Sequence, residues 1–248
     1  MIATLAALQS CNGIMDGIYD DPPAAPATTV DGQLYIDASD WAEWHYIDFP
    51  ALARAVNDDP EFNTSSLWST YPVPVEGEGS ADGKWGIYTY WYDVFGVGIS
   101  VNEFRDYRPT PAQPEPEEWT IAVHRNNVRT NGCKAAATEF NNIDDLPADA
   151  EYLESLHYEE DAWNETDVWV VQERMLQGVI GNQGIDANPV LSSWLKVEIP
   201  PMPPAFTLND RVFVLRLPDG TYGALQLADY QSPKGLKCCL TINYRYPL

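Results

Sequence analysis

Three residue types in this chain are scarce enough for their positions to carry information. They are the methionines (Met1, Met15, Met175, Met202), the histidines (His45, His124, His157) and the cysteines (Cys11, Cys133, Cys238, Cys239). None of them falls into a catalytic motif. There is no Gly-x-Ser-x-Gly, no His-Glu-x-x-His and no glycine-rich loop followed by Lys, and no Cys/His spacing suits zinc. The many carboxylates offer no pair that spacing singles out for glycoside hydrolysis. His45 and His124 lie in strand-like contexts that suit structural roles, whereas His157, in LESLHYEED, stands in an acidic, solvent-facing segment.

The methionines say more. Met202 sits in IPPMPPAF, with prolines on both sides. Proline fixes φ and restricts its neighbour, so Met202 is carried on a stiff, extended loop. Gap-filling core methionines belong more often to regular elements. A thioether on a stiff loop is a soft ligand for haem iron, and from spacing alone both this role and ordinary packing stay open. Met175, in QERMLQGVIGNQG, follows a strand-like run and precedes a glycine-rich stretch.

The elements that must position these residues read as strands. The run GLKCCLTINYRYPL alternates, with Leu236, Cys238, Leu240, Ile242, Tyr244 and Tyr246 on one face and Lys237, Cys239, Thr241, Asn243 and Arg245 on the other. This pattern predicts Cys238 inward and Cys239 outward. Pro218-Asp219-Gly220 marks a turn between RVFVLRL and TYGALQLADY, which should be consecutive strands. Further strands are expected at 33–36, 44–49, 85–101, 119–124 and 167–172. Short helices are expected at 51–56 and from Asn188-Pro189 to Trp194. Four prolines and three glutamates between Tyr107 and Trp119 mark an exposed loop. The expected architecture is all-β, a single antiparallel β domain over 31–248 with long loops and a few short helices.

Ahead of that domain, residues 1–10 form a short apolar run with Leu8 and Ser10 before Cys11. This arrangement resembles a bacterial lipobox, which implies an acylated Cys11 at the head of a Gly/Asp/Pro/Ala-rich tether over 11–30. No other segment approaches the roughly 18–20 apolar residues of a membrane span, so the membrane is met only through the lipid anchor.

Composition narrows the partners. The 248 residues carry 14 Lys+Arg against 37 Asp+Glu, a formal charge of −23. That balance excludes nucleic acid and polybasic attachment to lipid headgroups. It leaves an acidic domain rich in Trp (9) and Tyr (14) without assigning a ligand.

Four blocks supply an assignment. They are YIDASDWAEWHYIDF (35–49), EWTIAVHRNNVRTNG (118–132), LSSWLKVEIPPMPPAFTLNDRVFVLRL (191–217) and TYGALQLADYQSPKGLKCCLTINYRYP (221–247). In matching order, these resemble the HmuY haem-binding lipoproteins of Bacteroidetes. The resemblance implies an all-β hand that grips haem between long loops and passes it to a TonB-dependent outer-membrane receptor, with host haemoproteins as possible donors. It implies two axial side chains, a His pair in some members and a Met pair in others. Met202 matches the second position and Met175 suits the first, with His157 as its substitute. His124 and Arg125 match the family's structural His-Arg pair. The loop around Met175 is not closely matched, and Cys133 stands where a small residue is expected.

The resemblance also implies a protein that is not an enzyme and is held at the outer membrane or released outside the cell. A thioether does not titrate, so bis-Met ligation should outlast His ligation at mildly acidic pH, and soft sulfur should favour ferrous haem. Tyr152, Tyr158, Trp163, Trp194 and Phe206 lie near the ligands in sequence and either flank the porphyrin or fill the core. Arg174 and Lys196 are candidates to meet the propionates. Two other classes compete: a carbohydrate-binding β-sandwich, marked by a platform of exposed Trp or Tyr, and a structural surface or pilus-like subunit with neither site.

Overall fold

The structure, a computed structural model, describes residues 32–64, 68–199 and 203–248, with 100–105 described by backbone alone. In chain order the first elements are β1 (Gln33–Asp37), β2 (Glu43–Ile47), α1 (Phe49–Asp58), β3 (Ser69–Pro72), β4 (Gly86–Asp93), β5 (Gly98–Pro109), β6 (Ile121–His124), β7 (Asn127–Thr130) and β8 (Lys134–Ala137). There follow α2 (Ala150–Ser155), β9 (Ala162–Asn164), β10 (Trp169–Val171), β11 (Val179–Gln183), β12 (Ile185–Ala187) and α3 (Pro189–Ser192). The chain closes with β13 (Leu195–Glu198), β14 (Ala205–Leu208), β15 (Val212–Arg216), β16 (Tyr222–Gln231) and β17 (Lys237–Arg245). Every strand pair is antiparallel, and the helices are few and short, as the alternation predicts.

The largest sheet has the order β1-β17-β16-β15-β8, with the expected hairpin between β15 and β16. Gly220 supplies the positive φ of that turn, 88°. One face of this sheet packs on a second sheet, β3-β2-β6-β7, and on α1 and α3. Leu34, Phe213, Leu225 and Ile242 meet Ile47, Phe49, Ile121 and Leu191 there. The second sheet is buried on its other face as well, where Trp44, Tyr46 and Ala122 meet Ile87 and Ile185. Ile87 belongs to a third sheet, β10-β11-β4-β5. The middle sheet therefore has two apolar faces, and all four residues of β6 are buried. Apolar burial of this extent, at about 25 cal/mol per Å², is the main source of stability.

Local chemistry explains where the strands stop. The strand expected over 44–49 ends at Ile47 because Asp48 caps α1, its Oδ1 accepting from the Ala51 N–H at 3.2 Å, so that Phe49 begins a helix. The strand expected over 85–101 is a hairpin, β4 and β5, turning at 94–97. Asp93 organises the turn by accepting from the Phe95 N–H at 3.2 Å, and Gly98 takes φ 78°. In β17 the alternation holds from Leu240 to Tyr244, and Cys239 keeps the expected face, opposite to Leu240 and paired with Asp37, but is buried there rather than exposed. Its thiol lies beside Asp37 at 3.6 Å, and the strand's irregularity falls one residue earlier, at Cys238, whose φ is 65°.

Candidate functional site

A cleft of about 470 Å³ opens where the end of the third sheet faces α3 and the β13–β14 hairpin. One wall is aromatic. Trp41 and Trp169 stack at 6.0 Å and 29°, and Tyr92 meets the edge of Trp169 at 5.1 Å and 76°. Trp169 is oriented by its Nε1–H, which donates to the Thr166 carbonyl at 3.0 Å. The facing wall carries Leu195, Val197, Ile199 and Phe206, and Phe206 stacks on Tyr230 at 5.6 Å. Among the described residues the two walls are joined by a hydrogen bond from the Tyr92 hydroxyl to the Ile199 carbonyl at 2.9 Å.

Met175 lines this cleft. It opens a single 3₁₀ turn between β10 and β11, and the turn is closed by the Gly178 N–H donating to the Met175 carbonyl at 2.9 Å. Gly178 adopts φ 77°, and a Cβ there would lie 3.1 Å from the Tyr92 carbonyl, so both backbone and space favour glycine. The thioether packs with Tyr92, Trp169, Val94, Ile180 and Ile199. Met202 lies outside the described residues. Ile199, just before that gap, and Pro204, the second residue after it, both line the cleft.

The other expected residues separate. His157 is exposed, follows α2 and is not among the cleft's lining residues. Cys11 lies outside the described residues. Phe206 and Lys196 line the cleft, and Lys196 pairs with Glu198 at 2.6 Å. Trp194 is fully buried in the core, donating from Nε1 to the Asn126 carbonyl at 3.0 Å, and so supports the β6–β7 turn from below. Tyr152 and Tyr158 pack with Leu153 and Val212 in a separate cluster, and Trp163 packs on Tyr88. Arg174 is exposed and shares a different groove with Asp106 and Arg108. Trp85 alone among the described Trp and Tyr residues is largely exposed, at 44%, so no platform of exposed rings is assembled among them.

Four residues of the cleft have no role in the sequence reading beyond a structural one: Trp41, Tyr92, Arg125 and Trp169. Trp41 and Arg125 do fall in the 35–49 and 118–132 blocks, which is the one available signal. Their positions depend on His124, buried beneath them, whose Nε2 is 2.9 Å from the Trp41 carbonyl. Burial lowers the His124 pKa to about 4, so the ring is neutral and Nε2–H is the donor. The Arg125 guanidinium lies 4.3 Å from the centre of the Trp41 ring and donates to the Ser39 carbonyl at 2.8 Å. Desolvation pulls its pKa below the ordinary value.

Among the described residues no group of three His, Cys, Asp or Glu side chains could hold a metal ion. The soft donor facing the cleft is the Met175 sulfur. The arrangement can take a flat apolar body against aromatic walls, with a thioether on one side and cationic groups at its margin.

No curated protein matches this sequence. The family model described as HmuY protein matches residues 40–244. A solved Bacteroides vulgatus structure, provisionally described as an HmuY-like heme binding protein, is 28% identical with a TM-score of 0.57, covering 90% of this chain and 97% of that one. The apo form of PinO from Porphyromonas gingivitis is 17% identical with a TM-score of 0.62 over 87% and 95% of the two chains. The apo HmuY analog of Tannerella forsythia is 20% identical with a TM-score of 0.55 over 88% and 97%. The last two show likeness of fold.

Proposed function

From the premise that this chain belongs to the HmuY family, we infer that it is a haem-binding protein and not an enzyme, with Met175 and Met202 as the axial ligands. The observation that carries the reading is the cleft itself: Met175 faces an aromatic, apolar slot, and Ile199 and Pro204, before and after Met202 in the chain, line the same slot. The residues fit the group. Trp41, Trp169 and Phe206 offer apolar and aromatic surface to a porphyrin face, and Met175 offers a sulfur that needs no deprotonation. Haem, when bound, would supply an iron open to soft ligands. The chain's part is to hold thioethers there and to exclude water.

Transfer of haem onward, to a TonB-dependent outer-membrane receptor, is part of the same proposal. Phe95, Val97 and Leu176, exposed at 72%, 74% and 67%, stand on the two turns at one end of the third sheet, beside Met175. Exposed apolar side chains grouped at the mouth of a site suit contact with a protein partner, whether a receptor or a haem donor such as a host haemoprotein. Anchorage through an acylated Cys11 would keep the domain at the outer membrane, and no helix among the described residues is long and apolar enough to cross a membrane.

The test is a haemin titration of the purified protein with and without dithionite. A Soret shift is expected in both states, with tighter binding after reduction. If neither state gives a shift, the haem reading fails. Met175→Ala and Met202→Ala should each change the axial-ligand spectrum, and an unchanged spectrum in either variant removes that residue from the ligand set.

A further inference from the structure

Arg125 occupies an expensive position. β6 and β7 are joined by a two-residue turn, Arg125-Asn126, closed by the His124–Asn127 pair. Arg125 has φ 54°, at the turn position that glycine ordinarily takes. A side chain bearing a Cβ costs roughly 1 kcal/mol in that region, and such strain concentrates where a side chain has a task. The guanidinium is also immobilised, held by the Trp41 ring at 4.3 Å and the Ser39 carbonyl at 2.8 Å, and it lines the cleft.

What it lacks is a carboxylate in ion-pair contact; Asp40 favours its charge only from a distance. Among the described residues Arg129, Lys134, Lys196 and Arg245 each have a carboxylate within ion-pair distance, and Arg125 has none. The nearby acids each accept a hydrogen bond from another group. Asp40 accepts from the Ala42 N–H at 2.7 Å, and Asp37 accepts from the Ser39 N–H at 3.1 Å. Asp167, on the cleft wall, accepts from Asn164 Nδ2 and Thr166 Oγ1, both at 3.2 Å. A partly desolvated guanidinium without a contact ion pair carries a cost, and in a chain with 37 acidic residues a contact partner would have been easy to supply. Among the described residues one N–H of the five is bonded to protein, and the planar fork of the others matches a carboxylate.

We infer that Arg125 is the fixed carboxylate receiver of this cleft, taking one acidic arm of the porphyrin and selecting free-acid over esterified ligands. The assignment rests on the haem reading and deepens it, giving a ligand-contact role to a residue whose family position implies a purely structural one.

The test compares haemin with haemin dimethyl ester, in which both carboxylates are capped, on the wild-type protein and on Arg125→Asn, Arg125→Lys and Lys196→Gln. Asn suits the left-handed backbone, so Arg125→Asn removes the charge without adding strain. The wild-type protein should prefer haemin by about tenfold or more, the worth of one charge-assisted hydrogen-bonded pair. Arg125→Asn should bring the ratio of haemin to diester affinity down to about one, whatever it does to the absolute affinity for the diester, and Arg125→Lys should restore part of the preference. Equal wild-type binding of the two porphyrins overturns the assignment. So does a preference that survives Arg125→Asn, or one that disappears only in Lys196→Gln. A purely structural Arg125 would weaken both ligands alike and leave their ratio unchanged, which also overturns it. Failure of the wild-type protein to bind either porphyrin sinks the haem reading, and this assignment with it.

Discussion

His124 is fully buried, with one ring nitrogen bonded to the Trp41 carbonyl and the other, Nδ1, without a partner among the described residues. A proton added at Nδ1 would be buried against the Trp44 ring, 5.1 Å away between centroids. The folded pKa, about 4, is depressed below the unfolded value near 6.5. The unfolded chain therefore binds the proton first, and stability rises with pH across the interval between the two values. It is complete above the unfolded pKa and is lost as pH falls toward the folded one. Between pH 7.5 and 5 this residue should withdraw about 2 kcal/mol from the unfolding free energy. His45, lowered by burial against the opposing pull of Asp37 and Asp40, acts in the same sense. Denaturant unfolding at the two pH values checks the effect, and His124→Gln should flatten most of it. The Met175 thioether has no proton to exchange. In the haem complex the spectrum should hold wherever the fold holds, and any loss in acid should track unfolding rather than ligand release.

At the level of elements, the weak member of the site is the β13–β14 hairpin. It forms a two-stranded sheet of its own among the described residues, and an isolated hairpin is marginal in water. Its base is secured by Leu195 in the core, and its far end is tied to β4 by the Tyr92 hydroxyl. Tyr92→Phe keeps the ring against Trp169 and deletes that tie, at a cost of about 1 kcal/mol. Amide exchange should accelerate at Val197 and Phe206 and stay unchanged in the five-stranded sheet. If exchange at the hairpin does not change, the hydrogen bond is not what holds the wall in place. Elements with one wet face, such as β17 after Leu240, were readable as alternation. β6 was harder to read because it is buried on both faces and has no polar period to display. The 94–97 turn lay hidden inside an apolar run, its marks being the local hydrogen bond at Asp93 and the left-handed Gly98.

Across the whole molecule, the three cysteines of the domain are free and buried. Burial drives the Cys133 thiol to about 12, with Asp161 and Asp219 adding to the shift. Burial and Asp37 raise Cys239 to about 11, and burial raises Cys238. Thiolate is the reacting form, so Cys133, Cys238 and Cys239 should resist iodoacetamide at pH 8 in the folded protein and label together when it unfolds globally. Labelling of one ahead of the others would reveal a local opening in the core. The acidic excess contributes little to these interiors: most carboxylates are solvated, and the ion pairs that form, such as Lys134–Glu160, lie at the surface, where such pairs contribute little.

The sequence by itself determined the class of the fold, the β15–β16 turn, the cap-compatible start of α3 and the two methionines worth watching. Each of these depends on neighbours within a few residues, through side-chain period, proline stiffness or turn chemistry. Only the tertiary structure decided that Trp41, Tyr92, Arg125, Trp169 and Met175 share one cleft while His157 stands apart. Those residues come from four separate stretches of chain, brought together by antiparallel pairing and by a middle sheet buried on both faces. Which side of a strand meets a ligand is set by the layer packed against its other side, and that layer comes from residues far away in the chain.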